Sequence, residues 1–528
     1  MQAPARLQND SKARTAFQEA SLSQFDQTDA VAFLSDPAAL GIITPVETIE
    51  THISRIFLAS DRAFKMKRAV KLPYVDFSTP ELRFAACCKE VELNSMTAPG
   101  LYLGVRRITR ETGGKLAFGG EGELVEAVVE MQRFRQSALL DRMAEAGALT
   151  PDLMTQTALM IAHFHRQAPV VHTGDGTASL AGVLDINRAG FATSHVFSEM
   201  EVEALDAAFR TALSRHGEVL NQRELAGKVR RCHGDLHLRN ICLLDDKPSL
   251  FDCIEFNDSI ATVDVLYDLA FLLMDLWRRD FQELANLVAN RYLDETDNED
   301  GFALLPFMMA VRAAVRAHVT GTQVEEDGDP SGNLRGEARA YFDLATNLLK
   351  ECPARLIAIS GLSGSGKTTI AEALAAHVGA PPGARIVESD RIRKALHGVP
   401  PGTRLPEKAY RPGISERVYR DMAWRSSLVL AEGGSVVADA VFERQKDRMR
   451  IERAAGDRHA PFLGIWLDVA PDVLWRRVDQ RHGGPSDAAV EVLSRQLERD
   501  PGEITWQRLD ATRQPAVIVA DILALPII

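Results

Sequence analysis

The sequence predicts an N-terminal α+β unit, with a small β-rich lobe before a larger helical lobe, and a C-terminal α/β unit built on a parallel sheet. Three observations carry this expectation. Short β-prone runs separated by turn residues recur between about residues 53 and 134, whereas apolar residues at three- and four-residue steps dominate from about 137 to 230. From "RLIAIS" (355–360) onward, apolar strand-like runs alternate with helical segments, as in consecutive βαβ units. Between the first of these strands and the helix "TIAEALAAHV" lies "GLSGSGKT" (361–368), a glycine-rich loop at a strand-to-helix turn.

The elements follow in order. Residues 1–24 read as a polar lead-in, and "MQAPARLQNDSKARTAFQ" lacks the apolar core of a signal peptide. "ISRIFLASDRAFKMKRAVKL" (53–72) holds two β-prone runs around an "SDR" turn and predicts a hairpin. "STPELRFAACCKEVELNSM" (78–96) predicts a helix, with Ser78 or Thr79 as cap and Pro80 in its first turn. "LYLGVRRITR", "GKLAFGG" and "ELVEAVVEMQRF" read as further strands. In "EVEALDAAFRTALSRHGEVL", Val202, Leu205, Phe209, Ala212, His216 and Leu220 form one helix face, with His216 at its boundary. "LYDLAFLLMDLW" (266–277) is broken by aspartates, falls short of a membrane span and predicts a buried helix. "EEDGDPSGNLRGE" (325–337) predicts a loop or lid, and "EARAYFDLATNLLKEC" a helix that stops before Pro353. The expected boundaries are 1–24 for the lead-in, 25–136 for the small lobe, 137–352 for the helical lobe and 353–528 for the α/β unit.

Bulk properties restrict the function classes. At 528 residues, a prior of roughly 150 per domain gives about three to four compact units. The chain is 46% hydrophobic and 25% charged, with a net charge of −12 and a pI of about 5.6. Such an acidic surface repels nucleic acid and anionic lipid, so neither is expected as a partner and the expected location is cytoplasmic. The six cysteines, at 87, 88, 232, 242, 253 and 352, are too few and too irregular for a disulfide framework. Oligomeric state is not legible.

"GLSGSGKT" fits the phosphate-binding pattern G-x-x-x-x-G-K-[ST]. Gly361, Gly364 and Gly366 let the backbone between Leu362, Ser363 and Ser365 turn its N–H groups toward a β-phosphate, and the helix start at Lys367–Thr369 adds partial positive charge. Lys367 neutralises β- and γ-phosphate oxygens, and Thr368 can hold Mg²⁺. The strand "ARIVESD" is read as ending in Ser389–Asp390, which sets Asp390 where an acceptor hydroxyl would lie. "SVVADAVF" (435–442) brings Asp439 to orient Mg²⁺ or its water. Arg476, Arg477 and Arg481 precede a Gly-Pro loop and are candidates to close over a transferring phosphoryl group. For any lone Asp or Arg here the alternative is a capped helix end or a solvated face. Basic residues between Arg385 and Arg425 suggest an anionic or polyol-phosphate acceptor, although a solvated helix face accounts for part of them. On "GLSGSGKTT", "SDRIRK", "VVADAVFERQ" and the arginine-bearing segment ending "PSDA", residues 355–528 resemble small-molecule P-loop kinases of the gluconate-kinase, shikimate-kinase and zeta-toxin type.

"RRCHGDLHLRNICLL" (230–244) contains cysteines and histidines, but His233 and His237 are not accompanied by the paired cysteines of a zinc knuckle. In "HGDLHLRN", His233, Asp235, Leu236 and Asn240 instead fall at the offsets of a kinase catalytic loop, H-R-D-L-x-x-x-N. "PSLFDCIEFND" adds Asp252 where a magnesium carboxylate is needed. On these motifs, roughly residues 30–350 resemble the aminoglycoside-phosphotransferase-like kinases, which implies a two-lobed protein-kinase-like fold. The resemblance further implies a strand lysine at Lys65, with Lys67 as alternative, and a helix glutamate at Glu90, with Glu92 next. It also implies an adenine-reading hinge in "VVEMQRF" around Met131 and a structural role for Asp268. His163 and His165 read as helix packing; Arg312 and Arg316 bind substrate or form a surface ion pair. The segment before Lys65, "ETIETHISRIFLAS", departs from the kinase pattern because it has no glycine. Phosphate clamping there would fall to the Thr51–Ser54 backbone or to metal.

The sequence therefore predicts two fused phosphotransferases that use ATP and Mg²⁺ to phosphorylate hydroxyl groups of small molecules, sugars or sugar phosphates among the candidates. In the first, Asp235 is the base, Asn240 and Asp252 hold magnesium, and Lys65 with Glu90 places the phosphates. In the second, the 361–369 loop binds ATP, Lys367 and Arg481 stabilise transferring charge, Asp390 engages the acceptor, and Thr368 and Asp439 serve the metal. The alternative is an ATP-binding regulatory or toxin/antitoxin-like module in which one domain controls the other.

Overall fold

A computed structural model of the chain describes residues 26–72, 75–480 and 490–526. They form two compact units: the chain through Leu149 together with Arg230–Val263, and Thr150–Val229 together with the chain from Asp264 onward.

The first unit is built on a six-stranded antiparallel sheet. Its strands lie in the order Glu47–Glu50, Ser54–Ala59, Arg62–Lys67, Glu123–Gln132, Tyr102–Arg110 and Leu116–Phe118. The expected hairpin is present. Ile56 pairs with Lys65, and Ser60–Asp61 makes a two-residue turn with Ser60 at φ 55°. Both faces of the sheet are covered. Phe57, Ala59, Phe64 and Met66 pack with Ala30, Leu34, Ile108 and Val128 on one side, and Leu58 and Ala63 with Cys87, Leu101, Val129 and Met131 on the other. The helix Pro80–Asn94 is capped by Thr79, whose hydroxyl accepts from Leu82 N–H at 3.3 Å; Ser78 instead bonds Asp76. Further on, Ile241–Leu244 and Lys247–Leu250 form a hairpin turned by Asp245 and Asp246, both at positive φ.

The second unit joins long helices to a five-stranded parallel sheet, ordered Arg385–Glu388, Val436–Asp439, Leu356–Ser360, Phe462–Asp468 and Gln507–Asp510. Its helices include Pro151–Gln167, Glu199–Leu225, Val265–Arg278 and Gln282–Glu295. His165 is buried, 2.9 Å from Tyr292 Oη and 3.1 Å from Asp268, which gives His165 and Asp268 packing roles; His216 stacks on Phe307. The expected loop at 325–337 is shorter than predicted. The helix runs through Asp327, Gly328 (φ 72°) and Pro330 break it, and the next helix begins at Asn333 after Gly332 (φ 73°). Among the described residues one helix, Glu299–Glu325, is long and apolar enough to cross a membrane, a segment the sequence reading had not singled out; 67% of its apolar window is buried in the fold. The edge strand Arg385–Glu388 ends earlier than expected. It stops at Glu388, and Ser389 and Asp390 begin a helix.

Candidate active sites

In the first unit a layer of charge forms beneath the hairpin. Lys65 and Lys67 are two residues apart on one strand and so share a face. Fully buried Glu90 lies between them: Lys65 Nζ donates to Oε1 at 2.8 Å and Lys67 Nζ to Oε2 at 2.5 Å. Lys65 also pairs with Asp252, and Lys67 with Glu255. The two lysines are therefore not equivalent. Lys67, 1% exposed, is enclosed by two buried carboxylates, whereas Lys65 faces Asp252, whose side chain is 40% exposed. Glu92 is exposed. Burial opposes a charge on Lys65, but Asp252 and Glu90 outweigh it and raise its pKa well above the ordinary value. Burial likewise pushes Glu90 up, yet the two ammonium groups hold it at about 2. Glu255 is shifted upward, chiefly by burial.

Backbone bonds tie this layer to the loop after His233. Asp252 takes φ 62°, rare for a residue with a side chain, and its N–H donates to Tyr102 Oη at 3.0 Å. Cys253 N–H donates to Asn94 Oδ1 (2.9 Å), and Asn94 Nδ2 donates to Glu90 O (2.8 Å). His233 Nδ1 accepts from Asp235 N–H (3.3 Å), so its other nitrogen carries the proton and donates to Phe251 O (2.9 Å). Gly234 sits at φ 86°, where a Cβ would come within 3.0 Å of Ile254 Cδ1. Asn240 Nδ2 donates to both the carbonyl and Oδ2 of Asp235, each at 2.9 Å, and His237 Nε2 is 3.3 Å from the same Oδ2. Asp235 keeps a side-chain exposure of 40%. His237, set aside as a zinc ligand, thus touches the candidate base.

Two further parts of this lobe have defined surroundings. The Thr51–Ser54 backbone closes on itself: Thr51 N–H donates to Ser54 O (2.8 Å) and Ser54 N–H to Thr51 Oγ1 (3.0 Å), so these amides are engaged within the turn. Met131 packs in the apolar cluster with Ala63 and Leu101, and the following amide, Gln132 N–H, donates to Leu101 O at 2.8 Å.

In the second unit the glycine loop lines a cavity of about 230 Å³. Gly361 lies at φ 141°, and a Cβ there would come 2.7 Å from Ser365 Oγ and 2.9 Å from Leu467 O. Leu362 anchors the loop on Leu474, Val478 and Leu493. Ser363 N–H donates to Gln496 Oε1 (2.9 Å), and Gly364 and Gly366 hold positive φ. Lys367 Nζ donates back to Leu362 O (3.2 Å), and Thr368 Oγ1 donates to Asp439 Oδ2 (2.7 Å). Thr369 is exposed on the helix. Asp390 lines the cavity, as do Glu388, Arg393, Arg444, Arg495 and Arg499.

Glu388 went unnoticed in sequence because a glutamate inside an apolar strand carries no periodic signal. Burial pushes it up to about 8, with Asp439 adding to the shift and Arg391 opposing it. Burial also pushes Asp439 up to about 6 against the pull of Lys367. Glu388 Oε1 is buried without a partner. Two buried carboxylates with suppressed charge beside a threonine hydroxyl form a hard-oxygen set that fits a divalent cation.

The arginines divide. Arg476 is largely exposed and 3.6 Å from Asp472, while Arg477 donates to Ala511 O (3.1 Å) and toward Gly364 O (3.5 Å), bracing the loop from outside instead of closing over a phosphoryl group. Arg481 lies outside the described residues. Of the basic residues between Arg385 and Arg425, Arg385, Arg391 and Arg425 pair with Asp294 or Glu299.

A model described as the phosphotransferase enzyme family matches residues 116–305, and one described as an AAA domain matches residues 356–500. An uncharacterised protein of Mycobacterium tuberculosis is 30% identical over 477 residues, 88% of this chain and 92% of that one. A shikimate kinase of Bradyrhizobium diazoefficiens is 32% identical over 162 residues, 29% of this chain and 70% of its own length. A solved structure of a choline/ethanolamine kinase family protein from Mesorhizobium loti is 13% identical, with a TM-score of 0.39 over 62% of this chain and 95% of that one.

Proposed function

This chain belongs to the family of the mycobacterial relative, with a phosphotransferase-family domain followed by a P-loop kinase domain, and on that premise we propose that both domains phosphorylate hydroxyl groups of small molecules. The chain is an ATP-dependent kinase, and kinase families of this type use ATP with Mg²⁺. The observation that carries the proposal is shared by the two sites. Each combines a solvent-reachable carboxylate, Asp235 or Asp390, with a lysine, Lys65 held by Glu90 and Asp252 or Lys367 at the glycine loop.

In the first domain Asp235, oriented by Asn240, takes the proton of the acceptor hydroxyl. Lys65, aligned by Glu90, places the nucleotide phosphates, and Met131 belongs to the adenine-reading hinge. Asn240 and Asp252 would hold Mg²⁺, which supplies charge neutralisation on the phosphates when bound. In the second domain the 361–369 loop cradles the phosphates, Lys367 balances their charge, and Asp390 engages the acceptor. Arg481 caps the transferring group, and Thr368 with Asp439 would hold the metal. Arg393, Arg444, Arg495 and Arg499 line that cavity, Arg495 paired with Glu407 and Arg499 with Glu443, and these cations favour an acceptor bearing a carboxylate or phosphate, sugar phosphates included. The shikimate kinase likeness supports a small-molecule acceptor.

The test is a mass-spectrometric screen of a metabolite pool with Mg²⁺ and ATP, comparing wild type with Asp235→Asn and Lys367→Ala. Each substitution is expected to reduce its product about 10²–10⁴-fold. A product lost in both variants means serial action on one metabolite; separate products mean independent kinases. The glycine-free, internally bonded turn at Thr51–Ser54 favours a second reading, in which the first domain binds nucleotide to control the second. No Asp235-dependent product, beside a retained Lys367-dependent one, would select it.

A further inference from the structure

The strand Arg385–Glu388 is one edge of the parallel sheet, and its far end delivers Glu388, Ser389 and Asp390 to the cavity. An edge strand leaves a row of backbone groups without a neighbouring strand. Side chains of the helix Gln282–Glu295 occupy this one. Asn290, fully buried, accepts from Ile386 N–H through Oδ1 at 2.7 Å and donates to Ala384 O through Nδ2 at 3.2 Å. One amide side chain thus supplies a donor and an acceptor to the strand edge, as a neighbouring peptide group would. Asn286 adds bonds to Ala384 O (2.9 Å) and Pro382 O (3.0 Å).

Charge continues the contact toward the cavity. The Arg385 guanidinium, 2% exposed, meets Asn290 Oδ1 at 3.0 Å, Asp294 Oδ1 at 2.8 Å and Glu299 Oε1 at 3.2 Å. The other oxygen of Asp294 is 3.4 Å from Arg391 Nε, and that same nitrogen donates to Glu388 Oε2 at 2.9 Å. Arg291 pairs with Glu372 on the helix that follows the glycine loop. Apolar side chains would cover a sheet edge at lower desolvation cost. A buried network this dense fixes geometry more than it adds stability.

We infer that Asn290 and Asp294, residues of the segment read as the phosphotransferase's helical lobe, are positioning residues for the P-loop site. Asn290 holds the strand that carries Glu388, and the Asp294–Arg391–Glu388 chain holds that carboxylate at the cavity wall. The helix Gln282–Glu295 is then a structural part of the second kinase, and a shift of that helix is transmitted to its cavity. The inference rests on the reading of this cavity as a kinase site.

The test uses the full chain carrying Asp235→Asn, so that Lys367-dependent ATP turnover, with water as acceptor, reports on the P-loop site alone. Asp294→Asn is expected to lower kcat about tenfold while KM for ATP at saturating Mg²⁺ stays within about twofold, because the loop that binds phosphate is untouched. Arg391→Gln is expected to do the same, and the double variant to be no worse than either single one, since both break one chain. Wild-type kcat in Asp294→Asn, multiplying effects in the double variant, or a kcat loss that merely follows a lowered thermal midpoint would each overturn the inference. If the parent shows no turnover lost in Lys367→Ala, the kinase reading of the cavity fails, and this inference with it.

Discussion

Glu90 accepts from two lysines at once, and the partners beyond it decide what each lysine does. Lys67 Nζ is enclosed by Glu90 and Glu255, so Lys67→Met would leave buried Glu255 without its cation and Glu90 with Lys65 alone. A loss of about 3–5 kcal/mol is expected in urea unfolding, as for other broken buried pairs. Lys65→Met leaves Glu90 paired with Lys67 and is expected to cost less stability while weakening Mg²⁺–ATP binding by the first unit, read by calorimetry. A larger stability loss in Lys65→Met than in Lys67→Met would reverse the assignment. Sequence narrowed the choice to these two lysines but went no further, because strand periodicity puts both on one face. Glu255 and Tyr102, which separate their roles, come from distant stretches of chain.

At the scale of elements, the strand ends at Glu388 and Asp439 give the second site its pH dependence. Both folded-state pKa values, about 8 and about 6, lie above ordinary carboxylate values, so the folded chain holds protons that the unfolded chain has released. Their contribution to stability is present at low pH and lost as pH rises from about 4.5 to about 8. Metal binding needs the anions and therefore strengthens over the upper part of that window. The thermal midpoint without ligand is expected to fall between pH 6 and 8, and the upward shift caused by Mg²⁺–ATP to grow. A shift that shrinks with pH would contradict the assignment. The glycine loop and "HGDLHLRN" were legible because each packs its chemistry into eight residues with fixed offsets. The strand end was displaced, since Ser389 and Asp390 carry turn-like composition yet start a helix. The asparagine-lined sheet edge joins residues 96 apart, as in the Asn290–Ile386 bond, and has no local signature.

For the whole molecule, the order of architectures, an antiparallel sheet with helices and then a parallel sheet, was readable from the change in hydrophobic period near residue 355. What the period did not reveal is that helices before that point share a compact unit with the parallel sheet. That packing depends on buried Asn and Arg side chains, which a hydrophobic pattern does not register. The central claim is that one chain carries two ATP sites. Calorimetric titration of the full chain with a non-hydrolysable ATP analogue and Mg²⁺ tests it most directly. Two sites per chain are expected, one lost in Lys367→Ala and the other in Lys65→Met. A single site, abolished by Lys367→Ala and untouched by Lys65→Met, would contradict the account.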